Sequence, residues 1–153
     1  MEVITVHLAE RTYSIRISEG LRGIADFIRE RHHPTLAFLV GDTNTKAHLD
    51  RVAEALSSAG FRTHGVTIPP GEDQKCLASA SHLYDSLVDA GADRRTLVVA
   101  VGGGVVGDLA GFVAATFNRG LPLLMVPTTL LAMVDSSVGG KVGINHARGK
   151  NLI

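Results

Sequence analysis

A glycine-rich segment at residues 101–108 has the composition of a loop that binds phosphate groups. It reads Val-Gly-Gly-Gly-Val-Val-Gly-Asp, follows an apolar run typical of a buried strand and precedes a helical pattern. Glycines let the backbone approach a pyrophosphate, whose charge is stabilised by free N–H groups at a helix start. The match to G-x-G-x-x-G is a weak signal alone, and no acidic residue follows about 20 positions later to bind a ribose. A tight turn with close packing of the helix on the sheet is the alternative interpretation.

Polar residues also follow two earlier predicted strands, at the end where ligands of open α/β sheets bind. Asp42 and Asn44 follow the first of these strands. Asp42 could accept hydrogen bonds from ribose hydroxyls, but it is equally suited to capping the next helix. Glu72 and Lys75 follow the second strand and would share one helical face. They are either a solvated ion pair, which is the commoner case, or a carboxylate and an ammonium directed at a ligand.

A third polar region follows the last predicted strand. Thr128 and Thr129 place two hydroxyls at a predicted helix start, where they are plausible caps in any protein. The loop 135–141 is polar and carries two glycines, and Lys150 and Asn151 come after it. Lysines near a glycine loop suit phosphate or carboxylate binding as point charges, although a surface role is usual for each one singly.

The elements that position these residues follow from hydrophobic periodicity. An antiparallel hairpin is predicted from two alternating segments, residues 3–8 and 12–17. Helical spacing occurs at residues 21–31, 44–59, 75–90 and 105–117, and another helix begins at 128–134. Strands are predicted at residues 35–40, 61–68, 96–101 and 121–126, and residues 141–145 look like the start of another. The apolar runs 35–40 and 96–101 are typical of strands buried on both faces. Alternating strands and helices indicate right-handed crossovers, so we predict one Rossmann-like α/β domain over residues 1–153, with a mostly parallel sheet.

Composition limits the classes of partner. Lys plus Arg and Asp plus Glu both number 15, so net charge gives no reason to expect nucleic acid or an anionic membrane as a partner. No apolar run approaches the ~18 residues of a membrane span. The first ten residues lack the basic flank and apolar block of a signal peptide, and the single cysteine, Cys76, fits a reducing cytosol. We expect a cytoplasmic protein that acts on a small molecule.

Taken together, in this order and spacing, the segments closely resemble the 3-dehydroquinate synthase family. The segments that carry the resemblance are residues 102–112, 117–120, 127–132, 134–141 and 149–153. Asp42-x-Asn44 and Gly71-Glu72-x-x-Lys75 also fall where that family has them. The resemblance implies a Rossmann-like N-terminal domain that binds NAD, with the hairpin at its start.

The resemblance also implies a reaction. The family converts 3-deoxy-D-arabino-heptulosonate 7-phosphate to 3-dehydroquinate and phosphate, in the shikimate route to aromatic amino acids. A catalytic NAD⁺ oxidises a carbinol, which makes the neighbouring proton acidic enough for phosphate elimination; the hydride then returns and an aldol step closes the ring. A divalent metal, zinc or cobalt, polarises the hydroxyl being oxidised.

Roles pass to individual residues only through this resemblance. Asp42 and Asn44 match the adenosine end of NAD, and Glu72 and Lys75 match its ribose and nicotinamide side. The other positions that match cofactor contacts are Gly71, Gly103, Gly104, Val105, Val106, Gly107, Asp108, Thr128, Thr129, Lys141 and Lys150. The candidate catalytic residues are Asp135, Lys141 and Asn151, where cofactor and substrate meet, and Arg119. Arg119 resembles an arginine that reaches the substrate phosphate across a dimer interface, which implies a homodimer.

The metal site marks a departure from the family. Its ligands, a glutamate and two histidines, lie in a helical C-terminal domain that this sequence does not contain. The seven histidines present match none of those positions and offer no i, i+4 pair suited to zinc. The sequence also ends on Leu152-Ile153, where a natural terminus more often carries polar residues. We therefore expect a truncated chain without a metal site, which binds NAD at most and is inactive alone.

Three alternatives remain open. Another sugar-phosphate cyclase would share the fold and NAD chemistry but differ around residues 136–145, where this sequence keeps the dehydroquinate form. A metal-dependent polyol dehydrogenase would share the three-glycine loop, but it does not account for residues 127–141. A non-catalytic nucleotide-binding fragment is the third alternative, and it describes this polypeptide as distinct from its parent.

Overall fold

The computed structural model describes residues 2–153, and it begins with an antiparallel hairpin. Strands β1 (Glu2–Val6) and β2 (Tyr13–Ile17) pair over their full length, with Ile4 opposite Ile15. A short 3₁₀ turn, Ala9–Arg11, connects them. The hairpin predicted from alternating side chains is therefore confirmed, and it forms a sheet separate from the main one.

The main body alternates helices and strands, as the periodicity predicts. Its elements in chain order are α1 (Ile24–Arg29), β3 (Ala37–Asp42), α2 (Lys46–Ser58), β4 (Thr63–Ile68), α3 (Leu77–Asp89), β5 (Leu97–Gly102), α4 (Gly104–Thr116) and β6 (Leu123–Pro127). The four strands are parallel and lie in the order β4-β3-β5-β6. Their carboxyl ends therefore meet at one edge of the sheet, which we call the carboxyl edge.

Strands β3 and β5 are buried on both faces because helices cover both sides of the sheet. Phe38 and Val40 of β3 belong to a core shared with α3 and α4. Ala37 and Leu39, the alternate residues, belong to a second core with α1 and α2. The two-residue period of a strand divides its side chains between these cores, which explains the unbroken apolar runs in the sequence.

The predicted bounds differ from the observed ones at several ends. Helix α1 is shorter than the predicted 21–31 because Gly23, with φ +75°, ends the preceding turn in a left-handed conformation. The glycine stops are confirmed at Gly60 and Gly91, both of which have positive φ after α2 and α3. The helix predicted from residue 128 becomes helical from residue 130 and continues as a π-helical turn, Ala132–Ser136.

The strand predicted to start at residues 141–145 is wrong. Gly139 and Gly140, with φ +89° and +68°, turn the chain away from the free edge of β6. The chain crosses the carboxyl edge instead, where Ile144 is fully buried and exchanges two backbone hydrogen bonds with Ile153. Within residues 2–153 no helix has the length and apolar character needed to cross a bilayer.

Candidate functional site

The start of helix α4 lies at the centre of the carboxyl edge, directly after β5. Gly103 is its N-cap residue, and within the described chain no side chain hydrogen-bonds to this end of the helix. The first helical bond runs from the Gly107 amide to the Gly103 carbonyl, at 3.0 Å. The N–H groups of the first turn, in Gly104 to Val106, therefore have no partner within the helix. A helix start of this kind, carrying the positive end of a 13-residue helix dipole, suits an anion.

Close approach of neighbouring atoms, and not backbone conformation, explains the glycines at positions 102 and 103. Gly102, Gly103 and Gly104 all lack a positive φ. A Cβ on Gly103 would lie 3.3 Å from Thr129 Cγ2, and one on Gly102 would lie 2.6 Å from Val106 Cβ. The alternative interpretation, close packing of helix on sheet, is thus correct for Gly102. The pyrophosphate contact of the loop stays a prediction.

Thr128 and Thr129 differ in what their hydroxyls do. Thr129 Oγ1 accepts a hydrogen bond from the Ala132 amide at 3.2 Å, so Thr129 is the cap that the sequence left open between the two residues. The Thr128 amide donates to the Gly102 carbonyl at 3.0 Å, which places this residue beside the glycine loop. Thr128 Oγ1 is buried and has no hydrogen-bond partner among residues 2–153. A buried hydroxyl without a partner is unusual in a folded protein, and here it belongs to a residue that bonds the glycine loop before α4.

Lys75 is the buried cation of the site, with 4% of its surface exposed. Its Nζ lies 2.8 Å from Asp108 Oδ2 and also donates to Asn151 Oδ1. Glu72 Oε1 lies farther away, at 3.7 Å. The Glu72–Lys75 ion pair that the sequence offered as the commoner alternative is therefore present, but its lysine is buried and not solvated. A buried ammonium requires such partners because desolvation of an unpaired charge is costly.

Glu72 is held as a carboxylate. The Asn145 amide, which donates to Glu72 Oε1 at 2.9 Å, is the largest of the effects that lower the pKa of Glu72. Partial burial acts in the opposite direction, and the positive charges of Lys75 and Lys150 lower the pKa further. Lys150 Nζ is 4.0 Å from Glu72 Oε1. We call Glu72, Lys75, Asp108, Asn145 and Asn151 the Lys75 network.

Asp42 lies at the carboxyl end of β3, and one of its oxygens is already engaged. Oδ1 accepts a hydrogen bond from the Thr45 amide at 2.8 Å and so stabilises the turn before α2. The Thr45 hydroxyl in turn donates to the Val101 carbonyl at 3.1 Å, which ties this turn to the end of β5. Asp42 therefore stabilises the turn that leads into α2 but does not cap the helix, whose N-cap residue is Thr45. The second carboxylate oxygen has no hydrogen-bond partner among the contacts of residues 2–153. Asn44 is exposed beside it.

Asp135 and Lys141 form an exposed ion pair in the segment after β6, whereas Asp42 follows β3 on the other side of β5. Lys141 Nζ lies 3.4 Å from Asp135 Oδ1, and their side chains are 74% and 61% exposed. Tyr13 of the hairpin fixes the loop between them, because its hydroxyl accepts a hydrogen bond from the Gly139 amide at 2.9 Å. The sequence does not identify Tyr13, since 126 residues separate the two partners.

Arg119 is the one predicted site residue that the fold places far from the others. It lies in a 3₁₀ turn, Phe117–Arg119, beyond the C-terminal end of α4, with φ +70°. Helix α4 runs from the carboxyl edge to the opposite edge over 13 residues, about 20 Å. Arg119 therefore does not reach the glycine loop of its own chain.

Asn145 is the residue of the site that sequence analysis missed. Its amide side chain contacts Glu72, and its Oδ1 accepts a hydrogen bond from the Asn151 amide at 2.9 Å. A polar residue directly after the apolar Ile144, in a segment expected to be a strand, was the available signal. The described residues contain no group of three or more His, Cys, Asp or Glu side chains placed to hold a metal ion.

Comparison with known sequences gives one consistent result. Residues 65–153 match the family model described as 3-dehydroquinate synthase N-terminal. A 3-dehydroquinate synthase from Geobacter metallireducens is 51% identical over 155 residues, covering 100% of this chain and 43% of that enzyme. The chain thus spans less than half the length of the curated relatives that it matches.

Solved structures of two cyclases share the fold. The crystal structure of 2-deoxy-scyllo-inosose synthase complexed with carbaglucose-6-phosphate, NAD⁺ and Co²⁺ has a TM-score of 0.89 at 30% identity, over 99% of this chain and 42% of that chain. 2-epi-5-epi-valiolone synthase from Streptomyces hygroscopicus subsp. jinggangensis, with NAD⁺ and Zn²⁺ bound, has a TM-score of 0.71 at 28% identity, over 78% and 34%. The fold class and the resemblance that we predicted from sequence are confirmed.

Proposed function

The chain belongs to the 3-dehydroquinate synthase family, and we propose from this that it is the NAD-binding part of a 3-dehydroquinate synthase. On this proposal the whole enzyme is a carbon–oxygen lyase that converts 3-deoxy-D-arabino-heptulosonate 7-phosphate to 3-dehydroquinate and phosphate, in the shikimate pathway to chorismate and the aromatic amino acids. We propose the cytoplasm as its location, in agreement with the single cysteine.

One observation carries the cofactor proposal. The helix start of α4, which no side chain in residues 2–153 caps, lies beside the buried and unpartnered Thr128 hydroxyl. A pyrophosphate would satisfy both features, because its oxygens accept hydrogen bonds from amides and hydroxyls alike. A side chain at position 103 would crowd Thr129, because a Cβ there would lie 3.3 Å from Thr129 Cγ2.

We assign the remaining polar groups by their place along the carboxyl edge. The second carboxylate oxygen of Asp42 would accept hydrogen bonds from the adenosine ribose. The Lys75 network lies beyond the end of β4 and contacts Asp108 of α4, and its charged groups would face the nicotinamide half. Lys141, with 74% of its side chain exposed, would neutralise an anionic group of the sugar phosphate.

Bound NAD⁺ would supply a hydride acceptor, and later a hydride donor, for the carbon next to the one that loses its proton. The contribution of this chain is to bind and orient the cofactor. Contacts of 2.8 Å to Asp108 and 3.7 Å to Glu72 hold the Lys75 ammonium in place. The charged groups on this side of the cofactor site would therefore be preorganised before NAD⁺ binds.

Residues 2–153 do not form a site for the metal of the reaction. The related cyclase structures hold Co²⁺ or Zn²⁺ together with NAD⁺. The part of the chain that the structure describes provides no matching ligand set, so we derive no step through a metal here. We propose that zinc or cobalt belongs to the part of the relatives that this chain does not span, and that the chain alone does not turn over the substrate.

A homodimer is proposed from the position of Arg119. Its separation of about 20 Å from the glycine loop prevents it from reaching a substrate held by its own chain. In a homodimer, Arg119 of one copy would instead contact the substrate that is bound by the other copy.

The alternative within the same class is another sugar-phosphate cyclase. Identity is 51% to the Geobacter metallireducens enzyme but 30% and 28% to the two cyclases of known structure, which favours 3-dehydroquinate synthase. A non-catalytic nucleotide-binding fragment is the alternative from another class. A phosphate-release assay with 3-deoxy-D-arabino-heptulosonate 7-phosphate tests whether this polypeptide is catalytic on its own: we expect no release, and turnover would refute inactivity.

Calorimetric titration with NAD⁺ tests the cofactor proposal. Asp42→Asn keeps an acceptor for the Thr45 amide but loses a carboxylate oxygen, so we expect affinity to fall about 10-fold. Asp50→Ala is the matched control, because Asp50 pairs with Lys46 on the exposed side of α2. Binding that is absent in the unsubstituted chain, or equally affected by both substitutions, would refute the proposal.

A further inference from the structure

Asn145 joins three segments that are far apart in sequence. Its backbone amide donates to the Lys75 carbonyl at 2.8 Å, and its side-chain Nδ2 donates to Glu72 Oε1 at 2.9 Å. Its Oδ1 accepts a hydrogen bond from the Asn151 amide at 2.9 Å. Every hydrogen-bonding group of the side chain therefore has a partner in the Lys75 network or in the turn that carries it.

The residues that Asn145 contacts are not held equally well by other groups. Glu72 begins a single 3₁₀ turn, Glu72–Gln74, which has too few internal hydrogen bonds to fix a side chain. Asn151 has φ +55°, a left-handed conformation that asparagine adopts more readily than most non-glycine residues. The bond from the Asn151 amide to Asn145 Oδ1, at 2.9 Å, ties this turn to residue 145.

Asn151 in turn bonds the Lys75 ammonium through Oδ1. Asn145 thus acts on Lys75 by two routes, through the backbone carbonyl of Lys75 and through the amide of Asn151. The fully buried Ile144 anchors the backbone immediately before Asn145, so the position of this junction is set by the apolar core.

We propose that Asn145 is a positioning residue of the NAD site, which orients Glu72 and Asn151 and through them the Lys75 ammonium. The proposal rests on the proposed cofactor site, and it assigns Asn145 no contact with cofactor or substrate. Asparagine suits the position because one side chain must donate to a carboxylate and accept from an amide at the same time.

Two substitutions distinguish the two hydrogen bonds of the Asn145 side chain. Asn145→Asp still offers an acceptor to the Asn151 amide but places a carboxylate against Glu72. Asn145→Ala removes both bonds. Tyr84→Phe is the matched control, because it removes a hydrogen bond of similar length, 2.7 Å to Thr116 Oγ1, between α3 and the end of α4.

The first measurement needs no cofactor. NMR titration of the carboxyl groups should show a higher pKa for Glu72 in both Asn145 variants, because each loses the bond that lowers this pKa most. The Asn151 amide resonance should move strongly in Asn145→Ala and less in Asn145→Asp. Tyr84→Phe should change neither. An unchanged Glu72 pKa in Asn145→Asp would overturn the proposal, even if Asn145→Ala does not fold.

The second measurement is NAD⁺ affinity by calorimetry. We expect about a 10-fold loss in Asn145→Asp, the effect of one lost hydrogen bond to a charged group, and no loss in Tyr84→Phe. Equal affinities of Asn145→Asp and the unsubstituted chain would overturn the positioning role. If the unsubstituted chain fails to bind NAD⁺, the proposed function fails, whereas the carboxyl titration still decides whether Asn145 orients Glu72.

Discussion

Lys75 Nζ lies 2.8 Å from Asp108 Oδ2, and this ion pair joins the turn after β4 to the first half of helix α4. The side chain of Lys75 is 5% exposed and that of Asp108 is 22% exposed, so water screens the pair only weakly. The pair holds two neighbouring segments of the carboxyl edge in a fixed relation.

Removal of the Asp108 carboxylate should therefore destabilise the fold. Asp108→Ala leaves a buried ammonium without its nearest charge partner, and we expect the free energy of unfolding to fall by about 3 kcal/mol. Urea denaturation measures this. Asp50→Ala, which breaks an exposed i, i+4 pair of 2.7 Å, should cost about 0.5 kcal/mol or less. Similar losses in both variants would mean that the Lys75–Asp108 pair is no better than a surface pair.

Thr128→Val should separate binding from stability. The Thr128 hydroxyl is buried without a partner in residues 2–153, so a methyl group in its place should leave stability unchanged or raise it by up to about 1 kcal/mol. NAD⁺ affinity should nevertheless fall about 5–10-fold, because a ligand contact is lost.

Thr96→Val is the control for this substitution. Thr96 Oγ1 accepts a hydrogen bond from the Asp93 amide at 2.9 Å in a fully buried position at the start of β5. We expect a loss of about 1–2 kcal/mol in stability and no change in affinity per folded molecule. A strong destabilisation by Thr128→Val would show that its hydroxyl has a structural partner.

Two glycines of helix α4 should respond differently to alanine. A Cβ on Gly111 would overlap the Val142 side chain, so Gly111→Ala should cost about 1–3 kcal/mol. A Cβ on Gly107 would lie 3.5 Å from Met125 Sδ, an ordinary contact, and the better helix propensity of alanine should stabilise by up to about 1 kcal/mol. Thermal unfolding of both variants tests this. A tolerated Gly111→Ala would contradict the close packing of residues 141–145 on α4.

Stability should also depend on pH through Glu72. Its pKa in the folded chain is lowered, chiefly by the Asn145 hydrogen bond. A carboxyl group with a lowered pKa stabilises the folded state fully above its unfolded pKa, about 4.3, and this contribution is lost as the pH falls through the lower folded value. Glu72→Gln should therefore be less stable than the unsubstituted chain at pH 6, and the difference should shrink below about pH 4.3. A difference that grows on acidification would contradict this linkage.

The alternation of strands and helices and the location of the site could be predicted from sequence because both depend on local patterns. The strand order β4-β3-β5-β6 could not, because it depends on contacts between distant segments. Unbroken apolar runs identified β3 and β5, and polar residues after each strand had to meet at the carboxyl edge of a parallel sheet. The family resemblance then gave those residues roles that periodicity alone does not provide.

The Lys75 network could not be predicted because its contacts are not local. Asp108 is 33 residues from Lys75 and Asn151 is 76 residues away. The burial of Lys75 follows from the path of residues 141–153 across the carboxyl edge, and that path depends on two left-handed glycines and on Ile144. The sequence of residues 141–145 predicts a strand because its apolar alternation is compatible with both a strand and this extended crossing segment.

Amide NMR shifts on titration with NAD⁺ test most directly whether the start of α4 binds the pyrophosphate of NAD⁺. We expect saturable shifts concentrated at the Gly104, Val105 and Val106 amides, and these shifts should be much weaker in Thr128→Val. Amides of α2 distant from the carboxyl edge should not move. Saturable shifts located elsewhere, or none at millimolar NAD⁺, would contradict the assignment of this helix start as the cofactor site.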